Sequence, residues 1–400
     1  MLFQFNFYSS LLLISFINGI VYSMLLFRKG IASHKQPAIW LSLFVFLCAL
    51  YICPWMLGFA GWYDTQPYRD IIFYIPFSQQ LFIGPVLYFY VQSLLNPDFR
   101  LTKVKALHLL PGIVYLIYNL VIFITDKIIL DDYYFLADGT DREFDVWYTT
   151  LGWISLMLYF SLSLRYYYLY RRIMMQTVSY ADSVVFKWIR NILMAYLLMQ
   201  LLQLSFHFIV MAYPEFDSYT GSWWYFFIFS GISYYIGFNG YTNTVNAGIP
   251  FRISIFPQKL VLLPENKEDI DEEIDFEVIE TSAINNSFQV DEWADKITHA
   301  FEDDALYTNP ELSLPDVAHH LRTNNATISK TINACFKLNF NDFVNKYRIQ
   351  AVKDAIDVGI HKKQTLLSIA FDCGFNSKAT FNRAFKKHTG TSPKDYISSL

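Results

Sequence analysis

The sequence predicts an all-α protein in which a bundle of seven membrane helices precedes a cytoplasmic domain of two helix-turn-helix units joined by a long helix. Two observations predict this division. Of the 400 residues, 54% are hydrophobic and only 16% are charged, whereas a soluble protein carries about 25% charged residues. The end of the chain is instead basic, with thirteen Lys or Arg and five Asp from Arg322 onward. Such an excess of positive charge is typical of a surface that binds phosphates.

Seven apolar stretches fill the chain before residue 246. They are 5–27, 38–60, 71–95, 106–125, 147–170, 187–212 and 222–240. Each is about as long as the roughly twenty residues that a helix needs to cross the hydrocarbon core of a bilayer. Buried helices of a large soluble protein are the alternative. Seven stretches in succession, with almost no internal charge, favour a membrane domain over residues 1–246.

The charges between these stretches predict the orientation of the chain. Basic side chains follow the first, third and fifth stretches, whereas the other loops are mainly acidic. The basic residues are Arg28, Lys29, Lys35, Arg100, Lys103, Lys105, Arg171, Arg172 and Lys187. Because cytoplasmic loops carry the excess of Lys and Arg, the amino terminus is expected outside a bacterial cytoplasmic membrane. Everything after the seventh stretch is expected in the cytoplasm.

Few polar side chains interrupt the apolar stretches. Gln200, Gln203 and His207 lie three and four residues apart on one face of the sixth stretch. Such groups usually form hydrogen bonds between helices, and a small membrane pocket for an unknown signal ligand is the functional alternative. Pro76 and Pro85 can kink the third stretch, which would allow the bundle two shapes.

Two acidic segments are expected to be solvated. The first is the outer loop after the fourth stretch, for which binding of a cation or a cationic ligand is the alternative. The second is the linker 247–289, which carries nine carboxylates between Glu265 and Glu280. A run of like charges is typical of a spacer without a packed core, although this run could also compete with DNA for the basic tail. The acids of the outer loop are Asp131, Asp132, Asp138, Asp141, Glu143 and Asp145.

Nothing in the sequence indicates an enzyme. It has no Gly-rich phosphate loop, no HExxH metal motif and no GxSxG nucleophile motif, so no cofactor and no metal are predicted. Cys48, Cys53, Cys335 and Cys373 lack CxxC spacing and are expected to be buried thiols. A membrane transporter or receptor with an accessory DNA-binding tail is the alternative function. Ion-coupled transport, however, normally needs charged groups within the membrane.

The stretch 365–396 reads as two short helices around a tight turn. Thr365 is a typical N-cap residue for the first helix. Gly374 suits the left-handed position that ends a helix, and Asn376 or Ser377 can cap the second helix.

The second of these helices has an inward and an outward face. Phe381 and Phe385 lie four residues apart and are expected to face the core. The outward face would then be polar and basic, which is typical of a recognition helix that enters a DNA groove. Its residues are Lys378, Thr380, Asn382, Arg383, Lys386 and Lys387.

These residues belong to a longer pattern at fixed offsets over about thirty residues. The pattern resembles the carboxy-terminal signature of the AraC-type (AraC/XylS) transcriptional regulators, which is more specific than a helix-turn-helix alone. A generic helical hairpin with a charged face is the alternative. The matching positions are Ile369, Ala370, Gly374, Phe375, Ser377, Phe381, Arg383, Phe385, Lys386, Gly390, Pro393 and Tyr396.

The resemblance covers residues 290–400 and implies two helix-turn-helix units, at about 312–337 and 365–389, joined by a helix at about 341–358. In the first unit, an apolar helical face runs from Leu314 to Leu321. Two positions depart from the family pattern, because Arg322 and Asn339 stand where Gly is common. Asn339 is expected to take the left-handed conformation, which Asn tolerates.

The resemblance also implies which residues contact DNA. Arginine can bond guanine through two hydrogen bonds, and asparagine can bond adenine in the same way. Lys386 and Lys387, like Lys330, suit phosphates, which position a protein without specifying a sequence. The residues implied to read bases are Asn325, Ala326, Ser329, Lys330, Lys378, Thr380, Asn382 and Arg383.

The sequence therefore predicts a membrane-anchored, one-component transcription regulator. The whole chain resembles bacterial regulators that fuse seven spans to such a domain. Its expected partners are the lipid bilayer, double-stranded promoter DNA and an unknown signal ligand. A homodimer is an option rather than a requirement, because two recognition helices in one chain can contact successive major grooves.

Overall fold

The computed structural model describes residues 3–179, 184–242, 251–253, 260–262 and 287–398. The chain forms two compact units. The bundle unit comprises Met1–Tyr167 and Lys187–Ile249, and the C-terminal unit comprises Tyr168–Phe186 and Pro250–Leu400. Residues 168–186, between the fifth and sixth apolar stretches, belong to the C-terminal unit, although the sequence predicts them as part of the membrane domain.

All seven apolar stretches are helical, but the third is broken. Ile75, before Pro76, is extended (φ −92°, ψ 112°), as a residue that precedes proline usually is. Two helices therefore stand where one was expected, whereas Pro85 lies inside the second of them. The helices of this region are α1 (Phe7–Ala32), α2 (Gln36–Phe59), α3 (Tyr68–Tyr74), α4 (Gln80–Leu95), α5 (Lys103–Ala106), α6 (Leu110–Phe123), α7 (Val146–Thr177), α8 (Val184–Ala212) and α9 (Tyr219–Thr242).

Within the described ranges, four helical segments are long and apolar enough to cross a membrane: Phe7–Ala32, Gln36–Phe59, Lys103–Ile129 and Lys187–Ala212. The third of these joins α5 to α6 through a 3-10 turn and ends in a π-helical turn. Helix α4 is apolar but shorter. Helices α7 and α9 are long, yet Tyr, Trp and polar residues are frequent in them. The count of seven spans remains a prediction.

Helix α2 lies at the centre of the bundle unit, where it packs against α1, α4 and α9. The hydroxyls of Ser23 and Ser42 each donate to the other residue's carbonyl oxygen, at 3.0 and 2.8 Å, and so join α1 to α2. The outer faces of α1 and α6 expose large apolar side chains, which is costly in water and normal against lipid. They include Ile14, Ile17, Val21, Met24, Val114, Ile117, Leu120 and Val121.

The described part of the C-terminal unit is helical apart from one short antiparallel pair of strands, β1 (Phe251–Ile253) and β2 (Leu260–Leu262). The acidic run from Glu265 to Glu280 lies outside the described residues. The helices are α10 (Ser287–Glu302), α11 (Leu314–His320), α12 (Asn325–Thr331), α13 (Phe340–Asp357), α14 (Leu366–Asp372), α15 (Lys378–Thr389) and α16 (Pro393–Ser398).

Helix α13 contributes to two hydrophobic cores. Phe343 and Val344, near its start, pack with α10, α11 and α12. Ile349 and Val352, farther along, pack with α14 and α15. The predicted connecting helix therefore supplies the inner wall of both helix-turn-helix segments.

The caps, the glycine turn and the buried rings predicted for the second helix-turn-helix segment, at about 365–389, are confirmed. The Thr365 hydroxyl accepts a hydrogen bond from the backbone N–H of Ser368 at 3.2 Å, and Gly374 is left-handed with φ +90°. Ser377, rather than Asn376, caps α15. Phe381 and Phe385 are buried with their ring centroids 5.6 Å apart.

The expected left-handed conformation of Asn339 and the expected burial of all four cysteine thiols are both wrong. Asn339 is not left-handed, because its side chain caps the start of α13 by accepting from the Asp342 N–H at 2.8 Å. The left-handed residue after the preceding helical turn is Lys337 (φ +56°), and Arg322 is also left-handed (φ +52°). Cys335 is exposed and Cys373 is half-buried, whereas Cys48 and Cys53 are buried as expected.

Gly374 and Gly390 provide a matched pair of substitutions. Both have positive φ, but a Cβ at Gly374 would lie 2.3 Å from the Tyr307 carbonyl oxygen, whereas Gly390 faces open space. We expect Gly374→Ala to cost about 3 kcal/mol and Gly390→Ala about 1 kcal/mol of stability. Hydrogen exchange of the α14 amides in the full-length protein measures the difference. Equal losses would contradict the packing described for this turn.

Candidate nucleic-acid interface and bundle cavity

Helix α15 presents a basic face to solvent. Phe381, Ala384 and Phe385 pack into the second core, so the opposite side of the helix is left outside. Helical spacing alone produces this division, because residues three and four apart share a face. The exposed residues on that side are Lys378, Asn382, Arg383 and Lys386.

Thr380 does not face outward as expected. Its side chain is 2% exposed, and its hydroxyl lies 2.9 Å from the hydroxyl of the capping residue Ser377. The first N–H groups of a helix have no partner within the helix and are satisfied by capping side chains. This explains why the Thr380 hydroxyl lies beside the capping residue Ser377. Thr380 therefore supports the start of the helix and cannot reach a base in this conformation.

Helix α12 also has an exposed side and a buried side. Ala326 and Lys330 are exposed and Asn325 is half-buried. Ser329 is only 5% exposed, because α12 packs against both α10 and α11 and this contact covers Ser329 together with Ile328. The expectation that Ser329 faces outward is wrong.

The two adjacent lysines near the end of α15 differ in their surroundings. Lys387 Nζ lies 2.6 Å from an Asp342 carboxylate oxygen at the start of α13. Within the described part of the chain, Lys386 is exposed and makes no ion pair. Lys386 is therefore better placed than Lys387 to meet a phosphate.

Arg348, in the middle of α13, is 1% exposed. Its Nε donates to the Tyr307 carbonyl at 2.8 Å, and its Nη2 donates to the Asn309 carbonyl at 2.6 Å. The guanidinium lies 5.8 Å from the ring centroid of Phe375, in the second core. Burial lowers its pKa to about 10, so the group stays charged at neutral pH. One cation thus ties the loop before α11 to the second segment.

The last residue of α7 and the two residues that follow it are buried within the C-terminal unit. Thr177, Val178 and Ser179 are 1%, 0% and 0% exposed. Val178 pairs as an antiparallel β-bridge with Ser313, the residue that caps α11. Residues between the fifth and sixth predicted spans therefore pack against the start of α11, at the edge of the first helix-turn-helix segment.

Every polar group of Ser179 is engaged. Its N–H donates to the Leu312 carbonyl at 3.0 Å, and its carbonyl accepts from Asn341 Nδ2 at 2.8 Å. Its hydroxyl accepts from Arg348 Nη2 at 3.1 Å. We call Thr177–Ser179 with these partners the loop clasp. No spacing rule in the sequence predicted it, because its partners lie more than one hundred residues away.

The bundle unit contains a cavity of about 790 Å³. Gln203 and His207, two of the three polar residues predicted to form a pocket, line it. Gln200 instead lines a much smaller neighbouring cavity, to which Gln203 also contributes. The helical spacing of Gln203 and His207 therefore brings them to one cavity, and Gln200 lies outside it.

Two acids of the outer loop also line this cavity, Asp141 and Glu143. They are 4% and 2% exposed, so the expectation of a solvated loop is wrong for them. Burial raises the pKa of Asp141 to about 7 and raises that of Glu143 well above its usual value, with the neighbouring Asp141 charge adding to the effect. Among the described residues, no group of three or more His, Cys, Asp and Glu could hold a metal ion.

Comparison with known proteins adds to this geometry. A Helix-turn-helix domain family model matches residues 317–399. An uncharacterized HTH-type transcriptional regulator of Staphylococcus aureus strain COL is 29% identical over 102 residues, which cover 26% of this chain and 13% of that protein. Uncharacterized HTH-type transcriptional regulators of strains N315 and MRSA252 match with the same identity and coverage. No solved structure matches the chain.

The family match begins within α11 and ends beyond α16. The described helices of both segments fall largely inside it, and the basic face of α15 does so entirely. The prediction of a helix-turn-helix domain is thus confirmed, whereas the bundle unit has no counterpart in the regions that match. The carboxy-terminal part of this chain therefore carries a helix-turn-helix domain related to those of HTH-type transcriptional regulators.

Proposed function

We propose that this chain is a transcription regulator anchored in the bacterial cytoplasmic membrane. In this proposal seven helices span the bilayer with the amino terminus outside, and the helix-turn-helix domain binds promoter DNA in the cytoplasm. The family match and the similarity to HTH-type transcriptional regulators point to a transcription regulator, which is not a class of enzyme. The exposed cations of α15 supply the charge that DNA binding needs.

The lengths, the compositions and the exposed apolar faces of the helices support the membrane part of the proposal. Four helical segments have the length and composition of spans, and α1 and α6 expose broad apolar faces. The basic loops after the first, third and fifth stretches favour a cytoplasmic carboxy terminus. A basic tail on that side of the membrane can reach the chromosome.

The observation that carries the sensing role is the loop clasp. Helix α7 begins in the bundle unit, and the segment that directly follows it is buried against α11 and α13. A change at the end of α7 would therefore alter the hydrogen bonds of Ser179 to Asn341 and Arg348. Because α13 supports both helix-turn-helix segments, such a change would alter how the two recognition helices are held.

We assign base contacts to Lys378, Asn382 and Arg383 in α15, and to Asn325, Ala326 and Lys330 in α12. Thr380 and Ser329 are assigned structural roles instead, because both are buried. Lys386 is assigned to a phosphate. Lys387 would join it only after leaving Asp342.

Arg383→Ala and Lys386→Ala separate base readout from phosphate contact. We expect Arg383→Ala to cost about 1–3 kcal/mol on the target site and to relax the preference at one base pair. Lys386→Ala should weaken specific and random DNA alike and reduce the salt dependence by about one counterion. Binding isotherms on fragments enriched by chromatin immunoprecipitation, recorded at several salt concentrations, measure both. Identical effects of the two variants would contradict the assignment.

A disulfide tests whether the loop clasp controls DNA binding. Val178 and Ser313 are antiparallel partners, so cysteines at both positions should form a disulfide under mild oxidation. The variant is made in a Cys335→Ser background, because Cys335 is exposed. If the clasp transmits a change at the end of α7 to the proposed recognition helices, locking it should change promoter affinity by about fivefold or more.

Each single cysteine variant in the same background, exposed to the same oxidant, is the control. The Ser313→Cys control also reports the cost of losing the cap at the start of α11. Failure of the double variant to cross-link in membranes would contradict the clasp itself. Cross-linking with unchanged promoter affinity would contradict its role in regulation.

A further inference from the structure

The cavity of the bundle unit contains two carboxylates that are only half satisfied. Asp141 Oδ1 accepts the N–H of Glu143 at 2.9 Å, and Glu143 Oε1 accepts the N–H of Ser78 at 2.7 Å. The other oxygens, Asp141 Oδ2 and Glu143 Oε2, are buried and have no hydrogen-bond partner among the described residues. Gln80 Oε1, also in the cavity wall, is in the same situation. Three acceptors therefore lack a donor.

The described wall of the cavity contains no Lys or Arg that could supply this donor. The two nearby cations of the outer loop are engaged elsewhere. Arg142 lies 3.1 Å from Asp138, and Lys127 lies 2.9 Å from Asp70. His207 also lines the wall, but among the described residues no hydrogen bond joins it to the second oxygen of Asp141 or Glu143. A buried carboxylate oxygen without a donor is costly, so the wall suits a positive group supplied by a ligand.

Aromatic rings form much of the rest of the wall. Trp55 stacks on Phe226 with their centroids 4.3 Å apart, and Tyr51 lies 5.6 Å from the same ring. Phe206 stacks on Tyr225 at 5.2 Å. Faces of Trp, Tyr and Phe attract cations as well as apolar groups, so these rings suit a ligand that combines both.

We propose that this cavity binds a small organic cation, a primary amine or a guanidinium with an apolar body, whose charged group lies between Asp141 and Glu143. The volume of about 790 Å³ is within the usual range for small-molecule sites. This inference rests on the proposed function, because it names the class of signal that the bundle unit would detect. It assigns Asp141 and Glu143 as the residues that select charge, and the aromatic wall as the part that holds the apolar body.

Phenethylamine is a suitable probe because 2-phenylethanol is its neutral match. Binding is followed by thermal unfolding of the full-length protein in lipid nanodiscs, with isothermal titration for affinity and no DNA present. We expect the amine to raise the Tm of the wild-type protein and the alcohol to have little effect. Tetramethylammonium and agmatine extend the series to a quaternary amine and a guanidinium.

Glu143→Gln and Asp131→Asn make a matched pair, since each replaces one carboxyl group of the same loop by an amide and Asp131 is exposed. Without ligand, Glu143→Gln should raise the Tm, because it removes a buried carboxyl oxygen that has no hydrogen-bond partner. With the amine, Glu143→Gln should bind about 30-fold more weakly than wild type. Asp131→Asn should behave as wild type in both measurements. This reversal between the ligand-free and liganded states distinguishes a binding role from a purely structural one.

Two outcomes would overturn the proposal. One is that no amine of the series binds with a Glu143-dependent preference over the alcohol. The other is that calcium chloride stabilises the wild type through Glu143 as strongly as the amine, which would indicate a metal site. Promoter footprints with and without the amine are recorded separately. Amine binding that leaves the footprint unchanged would support the site and contradict the sensing role alone.

Discussion

The buried guanidinium of Arg348 is the constraint on which the C-terminal unit depends. It lies on α13, which borders both cores, and it donates to the carbonyls of Tyr307 and Asn309 and to the hydroxyl of Ser179. Its plane also approaches Phe375 of the second core. A charged group buried this deeply is tolerated only when its donors are matched. The loop before α11, the segment after α7 and the second helix-turn-helix segment must therefore keep their places together.

This arrangement gives the proposed regulator a physical means of control. The proposed recognition helices α12 and α15 share hydrophobic cores with α13, and α13 contacts Ser179, which lies directly after α7. No large movement is needed, because packed cores change between discrete arrangements rather than deforming smoothly. In the bundle cavity, Asp141 and Glu143 each have one oxygen without a hydrogen-bond partner among the described residues, and they would make the proposed sensor site responsive to a ligand. A buried carboxyl oxygen that lacks a hydrogen-bond donor makes the local structure sensitive to a ligand that supplies one.

Sequence reasoning succeeded where the signal is local. Thr365, Gly374 and Phe381 were identified because caps, left-handed turns and helical faces depend on a few neighbouring residues. It failed where distant packing decides. Thr380 and Ser329 have the chemistry of DNA contacts but are buried by neighbouring groups. Asp141 and Glu143 resemble other acids of a polar loop, and only their three-dimensional surroundings bury them. The same holds for Thr177–Ser179, whose partners are remote in the sequence.

The central claim is that one membrane-anchored chain places two recognition helices on promoter DNA. Footprinting of the full-length protein in nanodiscs, on DNA upstream of its own gene and of neighbouring genes, tests this most directly. The account predicts two protected half-sites whose centres lie about one helical turn, or roughly 10 base pairs, apart, with protection that weakens steeply as salt increases. A single protected half-site would contradict the role of the first segment. Absence of salt-sensitive protection on any of these fragments would contradict the account as a whole.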